Sequence, residues 1–278
     1  MTATARAATM LLLLPAALLL GFAFVAPLLR LGSLSLSAPA GPFAAYAALL
    51  GEPVYRRVFF NTAFYAALVT GCGLVAGFVI ALALARLPPA PRTLLFFAVL
   101  MPLWISVLVR SFAWMLLLER NGPINRLLMS TGLFAAPLPL LFNGFAVVLG
   151  MVHLLIPYAA LPIYAALVRI DPALLLASEG LGAGTFRTFR KVLLPLSAQG
   201  VATAASFLLL LSLGFFVTPA LLGGAGNITM AMLIDGFVTE RLDWPLAGAA
   251  SMVLLVATLA LLALLGRFVT PATIATAR

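Results

Sequence analysis

The chain has 278 residues, of which 64% are hydrophobic and only 8% charged, against roughly a quarter charged in an ordinary soluble domain. That balance excludes a soluble domain and predicts an all-α integral membrane protein, long enough for several spans of about 20 residues each. A formal charge of +9 does not point to nucleic acid, because the arginines stand at segment ends rather than in one basic stripe.

Charge-poor runs long enough to cross a bilayer follow in chain order. The first spans 10–29 between Arg6 and Arg30, and the second spans 58–85 between Arg57 and Arg86. A cleaved signal peptide, with small residues at 34–40, is the alternative for the first, but the run is as long as a full span. Residues 93–118 form the third candidate, with Arg110 inside it. The uncharged stretch after Leu127 contains Pro137 and Pro139, which confine its helix to 141–168. The fifth starts near Pro195 and ends before "GGAGN" at 223–227, and the sixth covers 245–266.

With six spans and both termini inside, Arg6, Arg86, Arg92, Arg169, Arg187, Arg190, Lys191, Arg267 and Arg278 face the cytoplasm. Arg30, Arg56, Arg57, Arg120, Arg126 and Arg241 face out, so the basic residues favour the cytoplasmic side.

Chemistry is limited by supply. One histidine, one cysteine and no carboxylate inside any expected span leave no residues for an intramembrane metal site, a Cys/His nucleophile or a paired-carboxylate site. Proton-coupled transport calls for titratable stations, and only His153 offers one. For a lone histidine on an apolar helix, a hydrogen bond to a neighbouring helix is the simpler role and a pathway role the alternative. Cys72 reads as a small packing residue. The single lysine, Lys191, lies between Arg190 and Val192, so no phosphate-cradling loop exists and ATP is not hydrolysed here. Arg110 must face a partner helix or a watery path, as an anchor or as a pathway residue, with Trp104 and Trp114 flanking it. "TPALLGGAGN" sets a proline and glycines after the fifth span, where irregular backbone marks a candidate external gate or an ordinary turn.

The connection "PALLLASEGLGAGTFRTFRKVLLPLS" from Pro172 is the one cytoplasmic segment long enough to receive a partner. Leu174, Ala177 and Leu181 fall on one helical face, with Leu176 and Glu179 pointing away. Gly182 and Gly184 allow a bend, after which Phe186, Phe189 and Leu193 repeat the spacing. Two short amphipathic helices result, suited either to a protein partner or to anionic headgroups.

This segment resembles the Glu-Ala-Ala loop of binding-protein-dependent ABC importer permeases. Leu181, Gly182 and Ala183 match the central triplet, Phe189 and Val192 the hydrophobic positions, and Leu194, Pro195 and Gly200 the end. Leu176 stands where the family has Glu, and Glu179 lies three residues later. "PLWISVLVRSFAWMLLLERNGPIN", "LPLLFNGFAVVLGMVHLLIPYAALPIYAAL" and "GFFVTPALLGG" are similar to the first permease of spermidine/putrescine-type importers.

The resemblance implies a six-helix type I ABC importer transmembrane domain with a cytoplasmic coupling-helix loop at 171–194. It divides the chain into an N-terminal helix and periplasmic loop (1–57), a core (58–270) and a cytoplasmic tail (271–278). It implies a bacterial inner-membrane subunit that is not itself an enzyme and holds no cofactor, ATP and Mg belonging to a partner ATPase dimer. A second permease and a periplasmic solute-binding protein complete the assembly. Leu176, Ala177, Ser178, Glu179, Leu181, Gly182, Ala183, Phe186 and Phe189 become the expected ATPase-coupling residues. Arg110, Trp114, His153, Tyr158, Phe216, Thr218 and Pro219 become pathway or gate candidates. Gly71, Gly73 and Gly77 are small residues suited to helix contacts, and Gly73 and Gly77 form a Gly-xxx-Gly pair. The rival reading is a secondary transporter or channel not energised by ATP, which calls for intramembrane titratable residues or an inverted repeat.

Overall fold

The computed structural model describes residues 3–269, with side chains from 12 to 266. The expected tail at 271–278 and the side chains of Arg6, Arg267 and Arg278 lie outside them. The described chain is helical throughout its regular structure: α1 (Ala3–Ser35), α2 (Ala44–Gly51), α3 (Pro53–Arg86), α4 (Pro89–Leu100), α5 (Val107–Leu118), α6 (Pro123–Ser130) and α7 (Gly144–Leu167). There follow α8 (Pro172–Gly180), α9 (Thr185–Thr188), α10 (Leu194–Leu196), α11 (Ala198–Leu213), α12 (Val217–Leu222), α13 (Met230–Thr239) and α14 (Trp244–Val269). A 3₁₀ turn (Met101–Trp104) follows α4, and a π turn (Phe189–Leu193) joins α9 to α10.

Local chemistry sets the ends. Pro89, Pro123 and Pro172 occupy first helical positions, where the missing N–H costs nothing. Asn143 caps α7 by accepting a hydrogen bond from the Ala146 amide at 3.0 Å, and Asp171 caps α8 through the Ala173 amide at 2.9 Å. The expected start of the fourth span at 141 therefore moves to Gly144, behind its cap.

Among the described residues, four helices are long and apolar enough to cross a membrane: Leu12–Ser35, Pro53–Arg86, Gly144–Leu167 and Trp244–Gly266. Two bent helix pairs, Pro89–Trp104 with Val107–Ser130 at 105° and Thr185–Leu196 with Ala198–Leu213 at 69°, bring the number to six if each is one span. The straight third span expected at 93–118 is thus broken. Pro102 cannot donate to the ladder, and Ile105 is extended, so the chain turns there. The fifth span also differs from expectation. Its helix α11 ends at Leu213, and "VTPALL" forms the separate helix α12 rather than irregular backbone.

The chain divides into two compact units. One comprises Met1–Arg56 and Leu233–Val256. Within it, Gly248 meets the backbone of α1 so closely that a Cβ would lie 2.8 Å from the Ser35 amide nitrogen. Tyr46 donates to Ser35 Oγ at 2.8 Å, and Tyr55 meets Phe237 edge-on at 5.5 Å.

The other unit comprises Arg57–Met232 and Ala257–Arg278. Its core is the contact of α3 with α7 and α11, through Val69, Val147, Met151, Leu155, Ala159, Ile163 and Leu208. In lipid, helices associate by close packing rather than by escape from water, so small residues decide where they touch. A Cβ at Gly73 would sit 3.1 Å from Leu208, one at Gly77 would overlap Ala159, and one at Gly200 would lie 2.6 Å from Ala166 and from the Pro162 carbonyl. The Gly73/Gly77 pair makes its helix contacts inside this chain, whereas Gly71 has nothing within 4 Å. Cys72 is exposed on α3 and is not a packing residue.

Candidate functional site

The segment after α7 is a helix, a defined stop and a second helix. The stop is a Schellman motif: the Gly182 amide donates to the Glu179 carbonyl at 2.9 Å and the Ala183 amide to the Ser178 carbonyl at 3.1 Å. It requires Gly182 at φ +75, a conformation an L side chain rarely adopts. The Leu-Gly-Ala triplet is thereby explained as the C-cap of α8, the left-handed residue that follows it and the donor that closes the motif.

The faces of this segment differ from the sequence expectation. Leu175 and Ser178 turn inward, not Leu174, Ala177 and Leu181. Leu176 is 68% exposed, Leu181 87% and Phe186 75%. Ala177 and Glu179 are also exposed, while Ala183 is half-buried. Ser178 and the buried Thr188 share a hydrogen bond of 2.9 Å that ties α8 to α9. Phe189 opens the π turn and meets Phe78 of α3 edge-on, with ring centroids 5.4 Å apart at 83°. In the π turn the Leu194 amide reaches back five residues to the Phe189 carbonyl, just before Pro195, which has no amide to give.

A polar cluster lies where α5, α7 and α12 meet. Trp114 donates its indole N–H to His153 Nδ1 at 3.1 Å, with the rings edge to face at 5.6 Å. An Nδ1 that accepts carries no proton, so the neutral ring bears its proton on Nε2. This is the interhelical hydrogen bond expected of His153. Ser111 and Thr218, both buried, share a hydrogen bond of 3.3 Å between α5 and α12. Gly150 of α7 lets α12 come close, since a Cβ there would lie 2.9 Å from Thr218 and Leu222. Arg110 lies within electrostatic reach of Tyr158 and His153, and its Nε and Nη1 are buried without a hydrogen-bond partner. Thr218 and Pro219 are buried, Tyr158 and Phe216 are exposed, and Trp104 is exposed outside the cluster.

Sequence reasoning missed a third group. The loop at 223–230 is pinned to one face of α3. Asn61 donates to the Gly226 carbonyl at 3.0 Å, Thr62 accepts from the Met230 amide at 2.8 Å, and Tyr65 donates to Asn227 Oδ1. Polar residues at 61 and 62 within an otherwise apolar run were the available signal. Among the described residues, no group of three or more His, Cys, Asp or Glu could hold a metal ion.

Residues 73–272 match the family described as binding-protein-dependent transport system inner membrane components. The chain is 33% identical over 203 residues to the spermidine/putrescine transport system permease protein PotB of Haemophilus influenzae, covering 73% of this chain and 71% of that one. It is 31% identical over 203 residues to the protein of the same name from Escherichia coli, covering 73% and 74%. Its fold is similar to that of a bacterial ABC transporter involved in import of the acidic polysaccharide alginate, with TM-score 0.79, 17% identity and 96% of each chain covered. The chain is a multi-pass integral membrane protein and belongs to the family of binding-protein-dependent transport system inner membrane components, the permeases of ABC importers.

Proposed function

We propose that this chain is one permease subunit of an ATP-driven importer and forms half of the translocation path for a small organic solute of the polyamine type or a related class. ATP and Mg act on a separate ATPase dimer, a second permease supplies the other half, and a periplasmic binding protein delivers the solute. Both termini face the cytoplasm of a bacterial inner membrane. The relatives named for spermidine and putrescine support the solute class.

The observation that carries the reading is the row of exposed Leu176, Leu181 and Phe186 on a segment whose shape is fixed by its Schellman motif and the Ser178–Thr188 hydrogen bond. Apolar side chains held out by a rigid support favour a partner surface. Because Leu176 replaces the family's glutamate, this contact relies on apolar burial, worth about 1.5 to 3 kcal/mol for one leucine. Cysteine placed at 176 or 179 should cross-link to the ATPase surface, with a yield that changes on adding ATP. An intact complex that never cross-links from either position would assign the segment to the membrane surface instead.

The cluster of Arg110, Trp114, His153 and Tyr158, with Phe216, Thr218 and Pro219, is the proposed pathway wall or gate. Buried guanidinium nitrogens without partners support a pathway role for Arg110 over an interhelical anchor. Calorimetry on the binding protein with spermidine and putrescine tests the solute class; no heat with either removes the polyamine assignment.

A further inference from the structure

The exposed segment must transmit whatever it receives, and few contacts connect it to the bundle. Ile170 and Leu175 hold one end, and Phe189 and Leu193 hold the other. An open recess of about 630 Å³ lies beside the first of these contacts, lined by residues that include Arg169, Ile170, Asp171, Leu174 and Gln199. The segment is thus propped on the bundle at these two places. At the second prop Phe189 bears on Phe78.

Phe78 adjoins Gly77, whose contact with Ala159 presses α3 against α7. Between Phe78 and Asn61, α3 is one uninterrupted helix, about 25 Å long at 1.5 Å per residue. At its far end Asn61, Thr62 and Tyr65 hold the loop at 226–230. One rigid element thus touches the candidate coupling segment at one end and the candidate gate loop at the other.

We infer that α3 is the transmission rod of this subunit, with Phe78 receiving displacement from Phe189 and Asn61, Thr62 and Tyr65 delivering it to the loop at 226–230. Phe78 acts here as a positioning residue and touches neither ATP nor solute. The inference rests on the reading that the segment docks to the ATPase. A helix that carries force requires a firm contact at each end of the stretch that carries it, and the stretch of α3 from Asn61 to Phe78 has both. Spatial continuity alone does not establish coupling, so the test must read coupling itself.

The test uses the complete complex of both permeases, ATPase and binding protein in lipid, in a Cys72→Ser background, with spin labels at Leu116→Cys on α5 and Gly226→Cys in the loop. In the parent complex, ATP should change the distance between the labels. Phe78→Ala or Phe189→Ala should reduce the ATP-driven change and lower uptake per ATP hydrolysed by about 2- to 30-fold. The double variant should be no worse than the worse single one, because both remove the same contact. Phe78→Leu keeps bulk, guards against a folding defect and should give an intermediate value. Asn61→Ala with Tyr65→Phe, which leaves only the Thr62 contact to the loop, should reduce the loop's response while leaving the Phe78 contact intact. An undiminished response in Phe78→Ala, or additive losses in the double variant, overturns the rod. Cross-linking from position 176 is measured in the same samples: its persistence alongside full coupling in these variants rejects the rod alone, and its absence in the parent rejects the docking reading beneath it.

Discussion

Gly182 illustrates how one residue sets the shape of a surface. At φ +75 it lets the chain leave α8 while the Glu179 and Ser178 carbonyls stay satisfied. Nothing lies within 4 Å of a Cβ built there, so the requirement is conformational and not steric. A β-branched side chain at such a φ costs about 1 to 3 kcal/mol. Gly182→Val should therefore uncouple ATP hydrolysis from uptake while leaving the helices inserted, which parallel uptake, ATPase and membrane-abundance assays would detect. Leu176→Asp should weaken copurification with the ATPase, whereas Leu176→Glu, which restores the family residue, should be tolerated. Within the polar cluster, Trp114→Phe removes the donor to His153, a membrane hydrogen bond worth about 0.6 kcal/mol, so thermal stability in detergent should fall only slightly. Arg110→Ala should impair uptake more than abundance. Equal uptake at equal abundance would refute a pathway role, and lost abundance would restore the anchor role. Gly182 and His153 were legible in the sequence because glycine and a lone polar side chain have few local uses. The missing partner of the Arg110 guanidinium was not, since it depends on what α7 places beside α5.

Among the elements, legibility followed periodicity and length. The fourth span was placed within three residues at its start because Pro137 and Pro139 exclude an earlier helix and Asn143 caps the observed one. The 105° turn between 104 and 107 was not legible, because an apolar run continues through Pro102 without change in composition. The faces of α8 were misread for a related reason. Leu174, Leu175 and Leu176 are consecutive, so hydrophobic pattern cannot say which of them turns inward. Packing decides it, and Leu175 meets the core. The contact of α3 with α7 also depends on a residue without a side chain. Gly77→Val would drive two methyl groups into Ala159 and the Ala160 amide, which a built Cβ already approaches at 3.1 Å. Overpacking of this kind costs about 1 to 3 kcal/mol. The variant should lower the melting temperature, whereas Gly71→Val, with open space around it, should leave it near the parental value.

For the whole molecule, composition alone indicated the membrane and the family motif indicated the loop proposed to face a partner. What it could not supply was the route between them, because the Phe78–Phe189 contact and the loop held by Asn61, Thr62 and Tyr65 join residues far apart in the chain. Gly73 and Gly77 show the same limit, as a small-residue pair reads identically whether its partner lies in the same chain or another. The central claim is that this chain works only as one half of an ATP-driven pore. It is tested most directly by reconstituting it into liposomes with the ATPase and binding protein, with and without the second permease, and measuring ATP-dependent uptake of labelled spermidine or putrescine. The account predicts uptake only when both permeases and ATP are present; ATP-driven uptake without the second permease, or uptake by this chain with no ATPase at all, would contradict it.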